Sequence, residues 1–370
     1  YLIREVKHKK SLLRGTPFVK QLHLGGGTPT FFSDDELAQL WNFLQSEFQF
    51  AADGDYSIEI DPRELRPNTL VVLRKLGFNR LSFGVQDLEE KVQIAVNRVQ
   101  PEAMIRQVMA DARELGFRSI NIDLIYGLPH QTVASMADTV ARIIDIAPDR
   151  LSVFNYAHLP ERFTAQRRIK EEDLPSLADK LTMFGNTINA LTQAGYQYIG
   201  IDHFARPDDE MAIAQRSGKL HRNFQGYATL GECDLLGFGV SSISQIDRHI
   251  LQNHTDLNEY KRMIDDGALP AVKHIESDPK DELRRYVIMN LLCHDRLDFK
   301  DVSDRFDIDA RAYFKDELAQ LDDMQADGLV SINDTGVQIL PKGRILGRSV
   351  AMVFDEYLAK KHANRFSKVI

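Results

Sequence analysis

The stretch LHLGGGTPT, residues 22–30, joins a short apolar run to three consecutive glycines and then to Thr28, Pro29 and Thr30. Glycines carry no side chain, so the backbone they form can come into van der Waals contact with a ligand. Taken alone, the pattern also suits a tight turn after a strand. Other apolar runs carry a polar or charged residue toward the C-terminal tip: Glu59 in SIEID, Gln86 in RLSFGVQ, Asp123 in NIDLIYGLP, and Asn155 with Tyr156 in RLSVFNYAH. Chemistry gathered at the C-terminal ends of strands is how a parallel α/β barrel presents a site.

Outward from that stretch, strand-like and helix-like segments alternate. Phe18–Leu24 precedes a helix opened by Ser33, with Glu36 three residues on completing a capping box. Tyr56–Ile60 precedes a helix over Pro67–Leu76 that stops at Gly77, and Arg80–Val85 leads to a helix from Pro101 to Gly116. Ser119–Tyr126 pairs with a helix over Ser135–Ile146, Arg150–Tyr156 with one over Pro175–Ala194, and Tyr198–Asp202 reads as one more strand. Such alternation implies right-handed crossovers and a parallel sheet. Tyr1–Leu13 has near-helical apolar spacing and no initiating methionine, so the chain is expected to be a fragment that begins inside a helix.

The balance of 46 Lys and Arg against 54 Asp and Glu gives a net charge of −8, which argues against a general nucleic-acid binder. No apolar run approaches the roughly 20 residues a bilayer requires, so no membrane partner and a cytoplasmic location are expected. The two cysteines, Cys233 and Cys293, form neither a disulfide framework nor a clustered metal site and read as small buried hydrophobes. His158, His203 and His221 read as hydrogen-bonded loop residues, because none has another ligand at metal spacing.

Near residue 279 the pattern changes. Glu282–Leu292, Phe299–Phe306 and Ala310–Ala326 read as helices, and VSINDTGVQIL from Val330 holds a turn between two alternating runs, an order resembling a winged helix. The third helix carries Asp316, Glu317, Asp322, Asp323 and Asp327, which favours a structural cap over a DNA reader.

The strings LHLGGGTPT, SIEIDPREL, RLSFGVQDL, NIDLIYGLP, RLSVFNYAHLP, DHFARPDDE and LHRNFQGYAT, with the closing GFGVSSIS, resemble the oxygen-independent coproporphyrinogen III oxidases, radical S-adenosylmethionine (SAM) enzymes of haem biosynthesis. The resemblance covers essentially the whole chain. It implies an α/β fold, a partial radical-SAM barrel over residues 1–278 lacking its first strand, with a helical, winged-helix-like domain over 279–370 that covers the open face. It also implies a [4Fe–4S] cluster on a Cys-x3-Cys-x2-Cys loop that lies before the first helix and is absent from this chain, so residues 1–370 alone are expected to be inactive and to hold no metal.

Carried over by position, Gly26 and Glu59 match contacts to a first SAM, the one that ligates the cluster. Gly27, Thr28, Gln86, Arg98, Asp123, Ala157 and Ile243 match contacts to a second. Carboxylates suit an ammonium and a sulfonium, Asp or Gln suits a ribose, and Arg suits a carboxylate. The implied reaction is removal of a propionate β-hydrogen by a 5′-deoxyadenosyl radical, then loss of carbon dioxide and an electron; two rounds turn coproporphyrinogen III into protoporphyrinogen IX. The resemblance leaves catalytic residues unassigned, as well as the electron donor and acceptor. A monomer is expected.

An acidic protein that accepts four propionates needs local positive charge. Arg162, Arg167, Arg168 and Lys170 follow the strand ending at Tyr156, and Arg206 and Arg222 lie in the next two loops, so these arginines are the candidates for the propionates. The competing reading for residues 162–170 is a solvated face, since Glu171, Glu172 and Asp173 follow at once. Two other functions compete with this one. A haem chaperone of the same superfamily would carry an HNxxYW-type motif where this chain has HRNFQGYAT, and a winged-helix regulator with an inactive barrel conflicts with the acidic third helix.

Overall fold

The computed structural model describes residues 1–231 and 233–360, so the last ten residues of the expected C-terminal domain lie outside the described residues. Seven strands build the main sheet: β1 (Phe18–Leu24), β2 (Gln49–Ile60), β3 (Arg80–Gln86), β4 (Ser119–Tyr126), β5 (Arg150–Asn155), β6 (Gln197–Gly200) and β7 (His203–Ala205). Their order across the sheet is β1-β2-β3-β4-β5-β7-β6. The central pairs β2·β3, β3·β4 and β4·β5 are parallel, with helices Thr69–Leu76, Glu102–Glu114, Val133–Ile146 and Leu177–Gln193 following β2 to β5 in turn. The result is an α/β half barrel.

Alternation along each strand gives the sheet two unlike faces. On the outer face Ile58, Leu81, Phe83, Ile120, Ile122 and Leu124 are at most 2% exposed, and apolar side chains of this size stabilise by about 1.5–3 kcal/mol each when fully buried. The inner face carries Ser57, Glu59, Ser82, Gln86, Asn121 and Asp123, all half-buried. Register aligns Glu59, Ser82 and Asn121 in one row and Gly84, Asp123 and Ser152 in the next.

Local signals account for the helix boundaries. Ser33 and Glu36 form the expected capping box: the Ser33 amide donates to Glu36 Oε2 (2.8 Å) and the Glu36 amide to Ser33 Oγ (3.2 Å). Gly77 ends its helix with φ +107°, a conformation that an L side chain rarely adopts. Thr132 and Ser135 cap the helix Val133–Ile146 reciprocally.

One expectation about direction fails. The segment read as a further strand, Tyr198–Asp202, is the first arm of a hairpin: β6 reverses at Gly200 and Ile201 into β7, which pairs antiparallel with both β6 and β5. The reversal holds Ile201 at φ +55°, and the Tyr198 hydroxyl donates to its carbonyl at 2.9 Å.

At the N-terminal ends of these strands, charges are packed together. Arg150 pairs with Asp209 (2.9 Å), Arg80 with Asp55 (3.1 Å) and Glu210, and Arg118 with Glu210 (3.3 Å) and Asp55. Burial works to raise the Asp209 carboxyl, but Arg150 outweighs it and holds the group below its ordinary range.

Two compact units are present: residues 20–38 with 52–213, which hold most of the sheet just described, and residues 1–19 with 39–51 and the described residues from Ala214 onward. In the second unit the helix Leu2–Ser11 buries Glu5 as well as Val6. The Glu5 carboxylate is enclosed by Lys9 (2.8 Å), Asn253 Nδ2 (2.7 Å), the Tyr260 hydroxyl (2.7 Å) and the Gly239 amide (2.7 Å). Burial and the bond to Glu5 push the Tyr260 phenol up. Antiparallel structure precedes residue 279 here: Ile243–Ile246, His249–Asn253 and Ala271–Glu276 form a three-stranded sheet that periodicity did not reveal.

From Pro279 on, a core of Leu283, Val287, Leu291, Phe314, Leu321, Val337 and Phe354 packs helices around the sheet of Arg296–Asp298, Val330–Ile332 and Gly336–Ile339. The turn between the last two strands is set by Asn333, whose Oδ1 accepts the amides of Thr335 (2.8 Å) and Gly336 (3.1 Å). The single helix expected over Ala310–Ala326 is three short ones, Ala310–Tyr313, Lys315–Ala319 and Asp322–Ala326. The breaks fall beside Phe314 and Leu321, both fully buried, so core packing overrides helix propensity there.

Candidate active site

The glycine run meets β2 through one carboxylate. The Gly26 amide donates to Glu59 Oε2 (3.1 Å), while Glu59 Oε1 lies 3.2 Å from His23 Nε2. The three glycines serve different ends. A Cβ on Gly25 would stand 2.4 Å from His23 Nε2 and 2.9 Å from Glu59 Oε1, so that position is closed by packing. Gly26 and Gly27 have open space around them but φ of +77° and +62°, which demand glycine for conformation. Burial works to raise the Glu59 carboxyl, yet the His23 contact and the Gly26 amide outweigh it and hold Glu59 below the ordinary carboxylate range. Its side chain is 42% exposed, leaving lone pairs open for a cationic ligand. Thr28 opens the turn Pro29–Phe31, its carbonyl accepting the Phe31 amide at 2.9 Å.

A second cluster forms where β3 ends. Arg98 Nη2 donates to the Gly84 carbonyl (2.7 Å) and Arg98 Nη1 pairs with Asp61 (3.0 Å), which Arg63 also grips at 2.7 Å. Arg98 Nε is buried without a partner. Burial pulls the Arg98 guanidinium below its ordinary value, with Asp61 opposing. Gln86 sits at φ +68°, where the β3·β4 register slips, and its side chain stays on the inner face, its Nε2 2.8 Å from where a Cβ on Gly84 would stand.

Asp123 is not at a strand tip: β4 runs on to Tyr126, and the side chain projects from mid-strand on the inner face. Ser82 Oγ donates to its Oδ2 (3.0 Å) and Asn121 Nδ2 to its Oδ1 (2.7 Å). Among the described residues its hydrogen-bond donors are all uncharged. Burial therefore dominates and pushes the carboxyl up, helped by the charge of Glu59. Asp123 acts on the Arg98 guanidinium through charge alone, with no hydrogen bond between them, so its carboxylate is suited to hydroxyl or ammonium donors from a ligand.

The remaining candidates divide. The Ala157 carbonyl accepts Gln166 Nε2 (3.1 Å), and Gln166 Oε1 accepts the Leu159 amide (2.6 Å), which folds the loop after β5. On that loop Arg162, Arg167 and Arg168 are exposed, Arg162 against the Phe163 ring and Arg167 donating to the Pro160 carbonyl at 3.2 Å. Arg206 is displaced from this group. Because β7 runs antiparallel, Arg206 emerges at the opposite end of the sheet, its amide bonded to the Asp149 carbonyl before β5. Arg222 and Ile243 belong to the other compact unit. Arg222 lies over the Tyr227 ring with Nη1 buried and unpartnered, and Ile243 starts the strand facing Gln252. His158 lies 3.3 Å from the Tyr156 hydroxyl; His203 and His221 stand in strands instead of loops, His203 paired with Asp202 at 2.6 Å.

The radical SAM superfamily model matches residues 2–143, and the HemN C-terminal domain model matches residues 277–346. The oxygen-independent coproporphyrinogen III oxidase of Pseudomonas aeruginosa is 50% identical over 371 residues, a match spanning 100% of this chain and 81% of the relative. The chain belongs to this family. The Escherichia coli oxidase of the same name is 49% identical over 370 residues. Its solved structure, titled as a radical SAM enzyme, superposes with a TM-score of 0.94 over 96% of this chain and 82% of that one.

Within this coproporphyrinogen oxidase family member, sequence reading overlooked His23, Ser57, Asp61, Ser82 and Asn121. The signal for four of them was the alternation of small polar with apolar residues along strands, where helices on both faces would demand continuous apolar runs.

Proposed function

We propose that the protein carries out the anaerobic oxidative decarboxylation of two propionates of coproporphyrinogen III to vinyl groups, giving protoporphyrinogen IX. Family membership over the whole chain supports it, and the observation that carries it is the Gly26–Glu59 contact on the same sheet face as Asp123, whose hydrogen-bond donors are all neutral.

The residues present fit SAM. Glu59 would receive its ammonium and the glycine backbone would meet its amino-acid end, and a second molecule would be held among Gly27, Thr28, Gln86, Arg98, Asp123 and Ala157. When bound, the cofactor supplies the hydrogen-abstracting radical. The protein's own part is electrostatic and steric: Glu59 and Asp123 attract cationic and hydroxyl groups, Arg98 attracts a carboxylate, and the apolar outer face keeps the strands in place. The cysteines do not fit a [4Fe–4S] cluster. Cys293 is buried with its thiol pushed up to about 12, Cys233 is exposed, and among the described residues no group of three ligands exists. The family's cluster would therefore need ligands other than these two cysteines. Arg162, Arg167 and Arg168 are assigned to the propionates. The region from residue 279 is assigned to a separate C-terminal module of a monomeric, cytoplasmic enzyme; no helix among the described residues is long and apolar enough to cross a membrane.

The test is turnover of coproporphyrinogen III by the cluster-loaded holoenzyme with SAM and a reductant under strict anaerobiosis. Two carbon dioxide molecules per protoporphyrinogen IX are expected. Tight haem binding without turnover would instead assign the protein to the chaperones.

A further inference from the structure

Glu59 is not held by the glycine loop alone. Behind it runs a chain of polar contacts that spans β1 and β2: His23 Nε2 lies 3.2 Å from Glu59 Oε1, His23 Nδ1 lies 2.8 Å from Ser57 Oγ, and Ser57 Oγ is 3.4 Å from the Leu22 carbonyl. Ser57 is two residues before Glu59, so their side chains project from the same face of β2.

The protons in this chain are set by what each atom can do. An ionised carboxylate only accepts, so Nε2 must carry a hydrogen toward Glu59. In the neutral ring Nδ1 is then the acceptor, and the single Ser57 hydroxyl hydrogen turns to it at 2.8 Å in preference to the Leu22 carbonyl at 3.4 Å. Reversing the ring tautomer would aim two lone pairs at one another across 3.2 Å. Gly25 closes the arrangement, since any Cβ there would stand 2.4 Å from Nε2.

The geometry points to His23 as a positioning residue for the Glu59 carboxylate, with Ser57 fixing its tautomer, so that Oε1 is occupied from behind and the remaining lone pairs face the ligand's α-ammonium. The inference rests on the reading of Glu59 as the ammonium acceptor. Both ring nitrogens of His23 are engaged by Ser57 and Glu59, so it acts through Glu59. Without it Glu59 keeps the Gly26 amide but loses its second anchor and can rotate about its own side-chain bonds.

The experiment measures equilibrium affinity for SAM, and for its analogue lacking the α-amino group, in the cluster-loaded holoenzyme and in variants. His23→Asn keeps a polar group near the Ser57 side of the ring and loses the contact to Glu59, whereas His23→Gln reaches Glu59 and loses Ser57. Loss of a hydrogen bond to a charged group predicts about a tenfold weakening of SAM binding for His23→Asn, with most of the affinity restored in His23→Gln. The amine-free analogue should bind all forms alike. In the double variant His23→Asn with Glu59→Gln, affinity should fall no further than in Glu59→Gln alone. Additive losses, equal losses for the analogue, or full affinity in His23→Asn while Glu59→Gln is impaired would each overturn the positioning role. Unchanged SAM affinity in Glu59→Gln would overturn the reading of Glu59 instead. If His23→Asn does not fold, Ser57→Ala gives the same comparison from the other end of the chain.

Discussion

Arg98 donates to the carbonyl of Gly84 at 2.7 Å, and a Cβ on Gly84 would stand 2.9 Å from that same guanidinium nitrogen. A side chain at residue 84 would push that guanidinium end aside. The same added carbon would lie 2.8 Å from Gln86 Nε2, so one methyl group disturbs two proposed cofactor contacts together.

Gly84→Ala is accordingly expected to weaken SAM binding by about tenfold or more, from the displaced charge-assisted bond, while the melting temperature shifts little. Equilibrium binding beside thermal unfolding checks it. Full affinity would mean that Arg98 and Gln86 do not contact the cofactor.

Asp123 makes the opposite kind of prediction, because its folded carboxyl is pushed up. The native state then holds its proton to higher pH than the unfolded chain, so the group's contribution to stability falls as pH rises from about 4, its unfolded value. Asp123→Asn, able to bond both Ser82 and Asn121, should match the parent in acid and melt at a higher temperature near neutrality, yet bind SAM more weakly. A large loss of stability at neutral pH would contradict this.

Asp209 behaves in the reverse sense. Its carboxyl is held low by Arg150, so it contributes stability above about pH 4 that is lost as pH falls through the folded value. Asp209→Asn strands the buried Arg150 and should cost about 3–5 kcal/mol in denaturant unfolding. SAM affinity of the folded fraction should be unchanged, since the pair sits at the far end of the strands.

Changing Arg167 and Arg168 together to Gln tests the loop after β5. Exposed charges of this kind act weakly, so the concentration of coproporphyrinogen III giving half-maximal rate should rise by about two- to tenfold. SAM cleavage in the absence of substrate should not change. An unaltered substrate dependence would leave the loop as a solvated face.

Local chemistry was the most legible part of the fold. Ser33 with Glu36, Gly77, and the Asn333 turn each announce a boundary through a short-range hydrogen bond or a backbone conformation. Strand direction was not legible at Tyr198–Asp202, because an apolar strand reads alike whichever way it pairs and the reversal depends on Ile201 adopting a conformation its type disfavours. The buried Glu5 was equally hidden: its partners Asn253 and Tyr260 are some 250 residues distant in the chain. At the proposed site, Glu59 and Gly26 stand out by type and context, whereas His23 and Ser57 gain meaning only once two strands lie side by side.

The reversal at Ile201 also sorts natural variation. Residues that follow β2 to β5 open onto the site, but those that follow β7 do not, so Arg206 to Asp209 form part of the foundation of the sheet. A variant found there in a culture that has lost anaerobic growth should be rescued by lower temperature or by raised expression, and not by more cofactor, because what it has lost is folded protein.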